Sequence, residues 1–349
     1  MHIRTYLLIL SFLWSLFACT VESPEPVSST LISNAVIFDG SGNDPYEGSV
    51  RFDATTQRIV AVGDLEAIPG EVVIDAKGQA LAPGFIDTHS HHYEDADKFR
   101  HMPGVLSQGI TTIVRGMDGS AGNYQSVAKF NIAFEASPAA INVASFSAHN
   151  TIRQLIMGDD NRRHATPSEI EAMAALIAAD MQAGALGLST GLEYEPGIFS
   201  TTEEVIELAL VAAASGGRYT SHLRDEDDRF IEAVNEIIRI GEDADIPVHV
   251  SHIKLADRRA WGTTGDIISL LNGARSRGVE ITADIYPYER WASNLAVLFP
   301  ERDYSSVETA EYTFERTAAA EDILLISYPA NPEFEGMTVA EVAGITERD

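Results

Sequence analysis

Residues 83–92 read PGFIDTHSHH, an apolar stretch that ends in histidines at alternate positions. On a β-strand, side chains two residues apart point to the same side, so His89 and His91 can direct their imidazoles at one point. Imidazole is a common ligand of divalent metals, but a single His-x-His pair also fits solvated or hydrogen-bonded histidines. Further potential ligands at corresponding positions later in the sequence would favour a metal site.

The composition is that of a folded protein with one large core or two domains. The chain has 349 residues, of which 45% are apolar, and 14 prolines. Its formal net charge of −28 argues against nucleic acid or anionic lipid headgroups as partners and favours solubility. A salty habitat would explain the same acidity.

The first residues have the pattern of an export signal. A basic start, Met1 to Arg4, precedes an apolar run from Tyr6 to Phe17, which is short for a membrane span. We interpret residues 1–19 as a signal peptide with a lipoprotein-type Cys19, the only cysteine, so no internal disulfide is possible. A plain cleaved signal is the alternative. Residues 20–30 are then expected to form a tether, and we expect the protein in the bacterial periplasm or outer membrane, anchored by lipid.

Residues 31–82 are predicted to form a small β-sheet domain. Short apolar runs alternate there with turn residues such as Asp39-Gly40-Ser41-Gly42. The predicted strands are Leu31–Phe38, Gly48–Phe52, Arg58–Gly63 and Glu71–Asp75.

From Pro83 onward, apolar runs alternate with helical patterns, which is typical of parallel βα repeats. Thr166, Pro167 and Glu169 form a capping-box signature, with Gly184 at the helix end, and a second helix begins with Thr201 and Glu204 and ends at Gly216-Gly217. Residues 83–349 are therefore predicted to be a (β/α)8 TIM-like barrel, α/β in class and incomplete, with about seven of eight strands. The predicted strands are Gly84–His89, Thr111–Arg115, Ile141–Phe146, Ala185–Ser189, Arg218–His222, Val248–His252 and Glu280–Ile285.

Histidines end three of these strands. His89 and His91 end the first, His222 ends the fifth and His252 ends the sixth. The carboxyl ends of barrel strands share one rim, so the four imidazoles are expected to meet there. Their chemistry favours Zn²⁺, as one or two divalent ions, over Mn, Co or Fe.

Several motifs in this order resemble those of the amidohydrolase superfamily, and within it the N-acyl-D-amino-acid deacylase (D-aminoacylase) branch. They are residues 83–91, Gly109–Val114, Gly184–Tyr194, Ser221–Arg224, Ser251–Lys254 and Ala283–Tyr288.

The resemblance implies two metal positions, one held by His89 and His91 and the other by His222 and His252. Many members bridge two metals with a carboxylated lysine on the fourth strand, which has no lysine here. The branch instead uses a residue after the second strand, typically cysteine, and this chain has Asp118 in that place. Asp118 is interpreted as a harder, oxygen-donating ligand, or else as a residue that serves the glycine-rich turn.

The resemblance also implies substrate contacts around a free carboxylate, from Lys254, Tyr194 and Tyr286. Lys254 lies two residues beyond His252 and thus on the same face, although a surface salt bridge would explain it too. His149 ends a strand and is expected in the pocket. Arg224 either orients a neighbouring carboxylate or contacts substrate.

The superfamily's catalytic aspartate at the end of an eighth strand has no counterpart in this sequence. Asp303, Asp322 and Asp349 lie in other settings, so the catalytic residue stays unknown. The sequence resembles one truncated before strand eight, and we expect the 349-residue form to be poorly stable and inactive. A cooperative melt with hydrolysis of an N-acyl-D-amino acid would contradict this expectation.

The resemblance implies hydrolysis of a linear amide in N-acyl-D-amino acids, small-molecule substrates, by water that the metal activates. A cyclic-amide hydrolase of the dihydroorotase or hydantoinase kind is the alternative with the same fold. A non-catalytic ligand-binding lipoprotein with a degenerate site is the alternative of another class.

Overall fold

The computed structural model describes residues 28–92, 98–299 and 305–346. The chain divides into two compact units, Met1–Pro83 and Gly84–Asp349. The predicted signal peptide and Cys19 lie outside the described residues. Within the described ranges, we find no helix with the length and apolar character needed to cross a membrane.

The first unit is a five-stranded sheet in which β1 lies at the centre. The strands are β1 (Ser29–Ile37), β2 (Tyr46–Asp53), β3 (Arg58–Gly63), β4 (Val72–Asp75) and β5 (Ala80–Leu81). Their order is β3-β2-β1-β4, and β5 also pairs with β1. The contacts β1–β2 and β2–β3 are antiparallel, whereas β4 and β5 run parallel to β1. The four predicted strands are present, and β5 is an addition.

The second unit is built on parallel strands whose spatial order follows the chain. They are β6 (Phe85–Asp87), β7 (Ile110–Arg115), β8 (Asn142–Ser145), β9 (Ser147–Ala148), β10 (Gly187–Gly191), β11 (Arg218–His222), β12 (Val248–Val250) and β13 (Ile281–Ala283). The third strand, predicted to end at Phe146, is instead interrupted at that residue and continues as β9, so β6-β7-β8 and β9-β10-β11-β12-β13 form two sheets. With β8 and β9 taken as one, seven of the eight strands of a barrel are present among the described residues, as predicted.

Helices connect these strands and cover the sheets. They are α1 (Pro103–Leu106), α2 (Val127–Ala136), α3 (His149–Met157), α4 (Pro167–Gln182), α5 (Thr202–Ala213), α6 (Phe230–Ala244), α7 (Thr264–Ser276), α8 (Val307–Arg316) and α9 (Val339–Thr346). The capping box of Thr166 and Glu169 is confirmed, with both of its hydrogen bonds present. Thr201 caps α5 by accepting from the backbone N–H of Glu204.

The main core lies between β10–β12 and the helices α4–α6. Leu188, Tyr219, Val205 and Val234 are all fully buried there. Burying each aliphatic side chain of this size contributes about 1.5–3 kcal/mol, so this region anchors the strand ends that carry His222 and His252. A separate small cluster, which includes Ile113, packs around β7.

Candidate metal centre

The predicted ligands converge at the carboxyl ends of the strands. β6 ends at Asp87, so His89 and His91 lie in the loop beyond it rather than on the strand itself. Their Nε2 atoms are nevertheless only 3.2 Å apart. His222 is the last residue of β11, and His252 follows β12 in a turn. His222 Nδ1 and His252 Nε2 are 3.0 Å apart.

Asp118 joins the two pairs of histidines. Its Oδ2 lies 3.3 Å from His89 Nε2, 3.1 Å from His91 Nε2 and 3.4 Å from His252 Nε2. Its Oδ1 is buried and has no hydrogen-bond partner among the described residues. A buried carboxylate oxygen without a partner is costly unless a ligand completes it.

The backbone turn after β7 places Asp118 at this point. Asp118 has a left-handed conformation, with φ of 52°, between Gly116 and Gly119, which are also left-handed. A Cβ at Gly119 would lie 2.2 Å from Asn150 Oδ1 and 2.8 Å from the backbone nitrogen of Gly191, so the turn packs closely against α3 and β10. The Gly119 N–H donates to Ser189 Oγ at 2.8 Å, which fixes the turn on the sheet.

The spacing of these donors fits a metal ion. Tetrahedral Zn²⁺ with ligands at about 2.0–2.1 Å requires donor atoms about 3.3 Å apart. His89 Nε2, His91 Nε2 and Asp118 Oδ2 are mutually 3.1–3.3 Å apart, and the donors around His222 and His252 are 3.0–3.4 Å apart. Imidazole with carboxylate is also a donor set that zinc prefers.

Three carboxylates bind the outward-facing nitrogens of three of these histidines. Glu193 accepts from His222 Nε2 at 2.7 Å, Glu226 lies 3.1 Å from His252 Nδ1, and Asp284 lies 2.9 Å from His89 Nδ1. Such partners fix the ring orientation and tautomer of metal-binding histidines. None of these three carboxylates was predicted from the sequence, although Asp284 lies in the motif Ala283–Tyr288 and Glu226 is four residues after His222.

The titration behaviour of the cluster follows from this arrangement. Burial lowers the pKa of His89, but hydrogen bonds to Asp118 and Asp284 outweigh it and raise the pKa to about 10. The pKa of His252 rises to about 8 for the same kind of reason, through Asp118 and Glu226. Burial opposes ionisation of Asp118, yet hydrogen bonds from the histidines hold its pKa well below the ordinary value.

A cavity of about 940 Å³ opens over the cluster, a size suited to a small-molecule ligand. It is lined by the ligands and by Tyr194, Lys254, Tyr286 and Trp291. Lys254 Nζ pairs with Glu226 and lies 5.9 Å from the centre of the Trp291 ring. Burial raises the pKa of Tyr286 to about 12 and also raises that of Tyr194, so both hydroxyls remain protonated donors.

Two other predicted residues lie elsewhere. His149 is the first residue of α3, is fully buried, and bonds Glu204 at 3.0 Å instead of lining the cavity. The prediction of a pocket residue is therefore wrong, because the His149 side chain packs against Glu204 on α5 and does not line the cavity. Arg224 donates two hydrogen bonds of 2.8 Å to Glu236, so it orients a carboxylate, one of the two roles expected.

Comparison with known proteins agrees with this architecture. The sequence profile of the amidohydrolase family matches residues 72–326, and the chain belongs to that family. Within it, the chain is similar to the D-aminoacylase branch, as its motifs predicted. It is 34% identical to a D-aminoacylase of Alcaligenes xylosoxydans xylosoxydans over 290 residues, 76% of this chain and 59% of the relative.

Two further relatives carry the likeness over most of the chain. The N-acyl-D-glutamate deacylase of the same organism is 33% identical over 338 residues, 90% of this chain and 64% of the relative. The structure of an N-acyl-D-glutamate deacylase from Bordetella bronchiseptica, complexed with zinc and a phosphonate inhibitor, matches with a TM-score of 0.79. It is 31% identical and covers 92% of this chain and 68% of that one. The chain thus spans about three fifths of the length of the curated relatives it matches.

Proposed function

We propose that this barrel belongs to a metal-dependent hydrolase that cleaves the linear amide bond of N-acyl-D-amino acids. The observation that carries the proposal is the convergence of His89, His91, Asp118, His222 and His252 at tetrahedral donor spacing below a cavity that contains Lys254. The preference for D-residues is supported by the names of the relatives. The relative crystallised with zinc supports zinc as the ion.

The donor set divides into two positions that share Asp118. His89 and His91 would hold one divalent ion, and His222 and His252 the other. A bound ion would polarise the amide carbonyl and make water nucleophilic near neutral pH. Glu193, Glu226 and Asp284 keep the histidine rings oriented for this purpose, because each accepts the proton on the ring nitrogen opposite the metal.

The cavity side chains would bind the free carboxylate of the substrate. Lys254 provides a positive charge whose ion pair with Glu226 holds it in place beside His252. Tyr286 and Tyr194 add hydroxyl donors, and the Tyr194 ring packs 4.3 Å from the ring of His222. We assign no described residue to proton transfer onto the leaving amine.

A cyclic-amide hydrolase is the weaker candidate. β10, the fourth strand of the barrel, reads GLSTG and offers no lysine for carboxylation. The third candidate, a protein that binds its ligand without cleaving it, remains as an outcome of the experiment below.

The experiment is to incubate the full product of the coding sequence, loaded with zinc, with N-acetyl-D-leucine, its L-enantiomer and N-acetyl-D-leucinamide. We expect hydrolysis of the D-acid in preference to the other two. Lys254→Met is expected to raise KM for the acid roughly 10- to 100-fold, since a hydrogen bond to a charged group contributes about 1.5–3 kcal/mol. The same change should have little effect on KM for the leucinamide, which lacks the carboxylate.

Lys129→Met on α2 is the control, because Lys129 is an exposed lysine that bonds Gln125 at 2.8 Å. Zinc binding without hydrolysis would favour the ligand-binding protein. Faster hydrolysis of dihydroorotate or a hydantoin than of the acid would favour the cyclic-amide hydrolase. Equal KM increases for the acid and the amide would contradict the role of Lys254.

We further propose export and lipid anchoring through Cys19. The basic residues at the start, the apolar run up to Phe17 and the sequence Leu16-Phe17-Ala18-Cys19 support it. Radiolabelled palmitate should be incorporated by bacteria that express the native protein and not by those with Cys19→Ala. Equal labelling of the two, or none, would refute lipidation.

A further inference from the structure

Asp284 is connected to the candidate metal centre by hydrogen bonds of both its backbone and its side chain. It follows β13 directly, and its backbone N–H donates to Val250 O at 3.1 Å while its carbonyl accepts from Ile253 N–H at 3.0 Å. Both backbone groups therefore tie it to the strand end that carries His252. Its side chain then makes three more contacts, all to histidines.

The first of these contacts joins the end of the seventh strand to the loop after the first. Asp284 Oδ2 lies 2.9 Å from His89 Nδ1, although the two residues are 195 positions apart in the chain. His89 Nε2 faces His91 and Asp118 on the opposite side of the ring. An ionised Asp284 places the ring proton on Nδ1, and Nε2 is then left with its lone pair directed at the metal position.

The second contact links Asp284 to His249, which is in turn hydrogen-bonded to Thr282 on the neighbouring strand. His249, on β12, lies with Nε2 2.9 Å from the same Oδ2, and its Nδ1 is 2.7 Å from Thr282 Oγ1. A neutral His249 that accepts from Thr282 and donates to Asp284 satisfies both distances. Thr282 and His249 therefore help to keep Asp284 in the orientation that His89 needs.

The third contact serves the other metal position. Asp284 Oδ1 accepts from the backbone N–H of His252. His252 has a φ of +33°, in the left-handed region that residues with side chains rarely adopt. The hydrogen bond from His252 N–H to Asp284 Oδ1 offsets the cost of this backbone conformation. The conformation in turn directs the imidazole toward His222 and Asp118.

We propose that Asp284 is a positioning residue that organises both metal positions while binding neither ion. It sets the tautomer of His89 and the backbone conformation of His252. By comparison, Glu193 contacts His222, and Glu226 contacts His222, His252 and Lys254, so these contacts lie at the second metal position. The inference rests on the proposed metal-dependent function.

The test compares zinc binding by the native protein, Asp284→Asn and Thr282→Val. Zinc per chain is measured after dialysis against graded chelator, and Co²⁺ absorption spectra report ligand geometry. In Asp284→Asn the amide can still accept from His252, but it presents N–H to His89. We expect zinc affinity at the position of His89 and His91 to fall about 10- to 100-fold, as for other outer carboxylates, with a changed Co²⁺ spectrum. Thr282→Val, which touches no ligand, should give a smaller loss at the same position.

Asp180→Asn is the matched control. Asp180 is also a buried carboxylate, bonded to Val127 N–H and Ser147 Oγ, and does not line the cavity. It should leave zinc binding unchanged. If Asp284→Asn and Thr282→Val both bind zinc with native affinity and the native Co²⁺ spectrum, the inference is wrong and the proposed function survives. If the native protein binds no metal, both are wrong. Should Asp284→Asn fail to fold, Thr282→Val decides alone.

Discussion

Replacing Asp118 with alanine is expected to weaken zinc binding at both positions on the order of 100- to 1000-fold. A fully ligated zinc ion in a small site is bound by about 10–16 kcal/mol, so one of four ligands accounts for roughly a quarter of that free energy. Asp118 Oδ2 lies 3.1–3.4 Å from histidine nitrogens of both positions, so its loss affects both ions. Hydrolysis by the full coding product should fall with zinc occupancy, measured as metal per chain beside the rate.

Asp118→Cys is the informative companion variant. A thiolate at this place keeps a donor but is softer than a carboxylate, so affinity for Cd²⁺ should rise relative to Mn²⁺. The structure leaves Asp118 Oδ1 buried without a partner among the described residues, and the alanine variant also removes that atom. If Asp118→Ala binds no zinc but has a higher free energy of unfolding than the native protein, Asp118 acts as a metal ligand. Native zinc content in Asp118→Ala would instead support the interpretation that Asp118 only serves the turn.

The second large effect is expected on the free energy of unfolding, and it comes from the buried group of Glu204, Arg153 and His149. Glu204 accepts from Arg153 through both of its oxygens at 2.6 Å and from His149 at 3.0 Å, and all three side chains are at most 1% exposed. Burial alone would raise the pKa of Glu204, but its two partners hold it below the ordinary value. Glu204→Ala leaves the Arg153 charge buried without its carboxylate, so we expect a loss of about 3–5 kcal/mol in the free energy of unfolding.

Denaturant unfolding of the two proteins measures this loss. Arg162→Ala is the control, because Arg162 forms an ion pair with Glu195 in which the arginine side chain is 70% exposed. Exposed pairs contribute about 0–1 kcal/mol, so that variant should unfold close to the native protein. A loss below about 1 kcal/mol for Glu204→Ala would mean that water reaches Arg153 after the substitution.

The sequence was sufficient to predict the barrel strands and the convergence of four histidines near their carboxyl ends, because both follow from local patterns. Apolar runs of strand length locate β7, β10 and β11, and the rule that barrel chemistry lies at strand ends then brings His222 and His252 together. Contrary to the prediction from the alternation of side chains, His89 and His91 do not share the face of a strand. β6 ends at Asp87, and the loop beyond it, rather than the strand, brings the two rings together.

The partners of side chains that meet only through tertiary contacts could not be predicted from local patterns. His149 and His222 both follow apolar strands, yet α3 begins at His149 and turns it toward Glu204 on α5. Asp284 reaches His89 over a separation of 195 residues, which no local pattern contains. A rim of acidic residues is also typical of solvated loops, so Glu193 and Glu226 carried no distinguishing signal before their partners were placed.

Because the third strand is interrupted at Phe146, ions bound at the metal centre would also link two sheets. On one side of the break are β6, β7 and β8 with the small cluster around Ile113, and on the other is the sheet that contains β11 and β12 with the main core. His89, His91 and Asp118 come from the first part, whereas His222 and His252 come from the second. Ions shared through Asp118 would act as a cross-link that closes a long loop of chain, reducing the conformational entropy of any state in which the two sheets separate. Such ions would therefore strengthen the connection between two sheets that the backbone links across the break through the hydrogen bond from Leu186 N–H to Ser145 O at 3.0 Å.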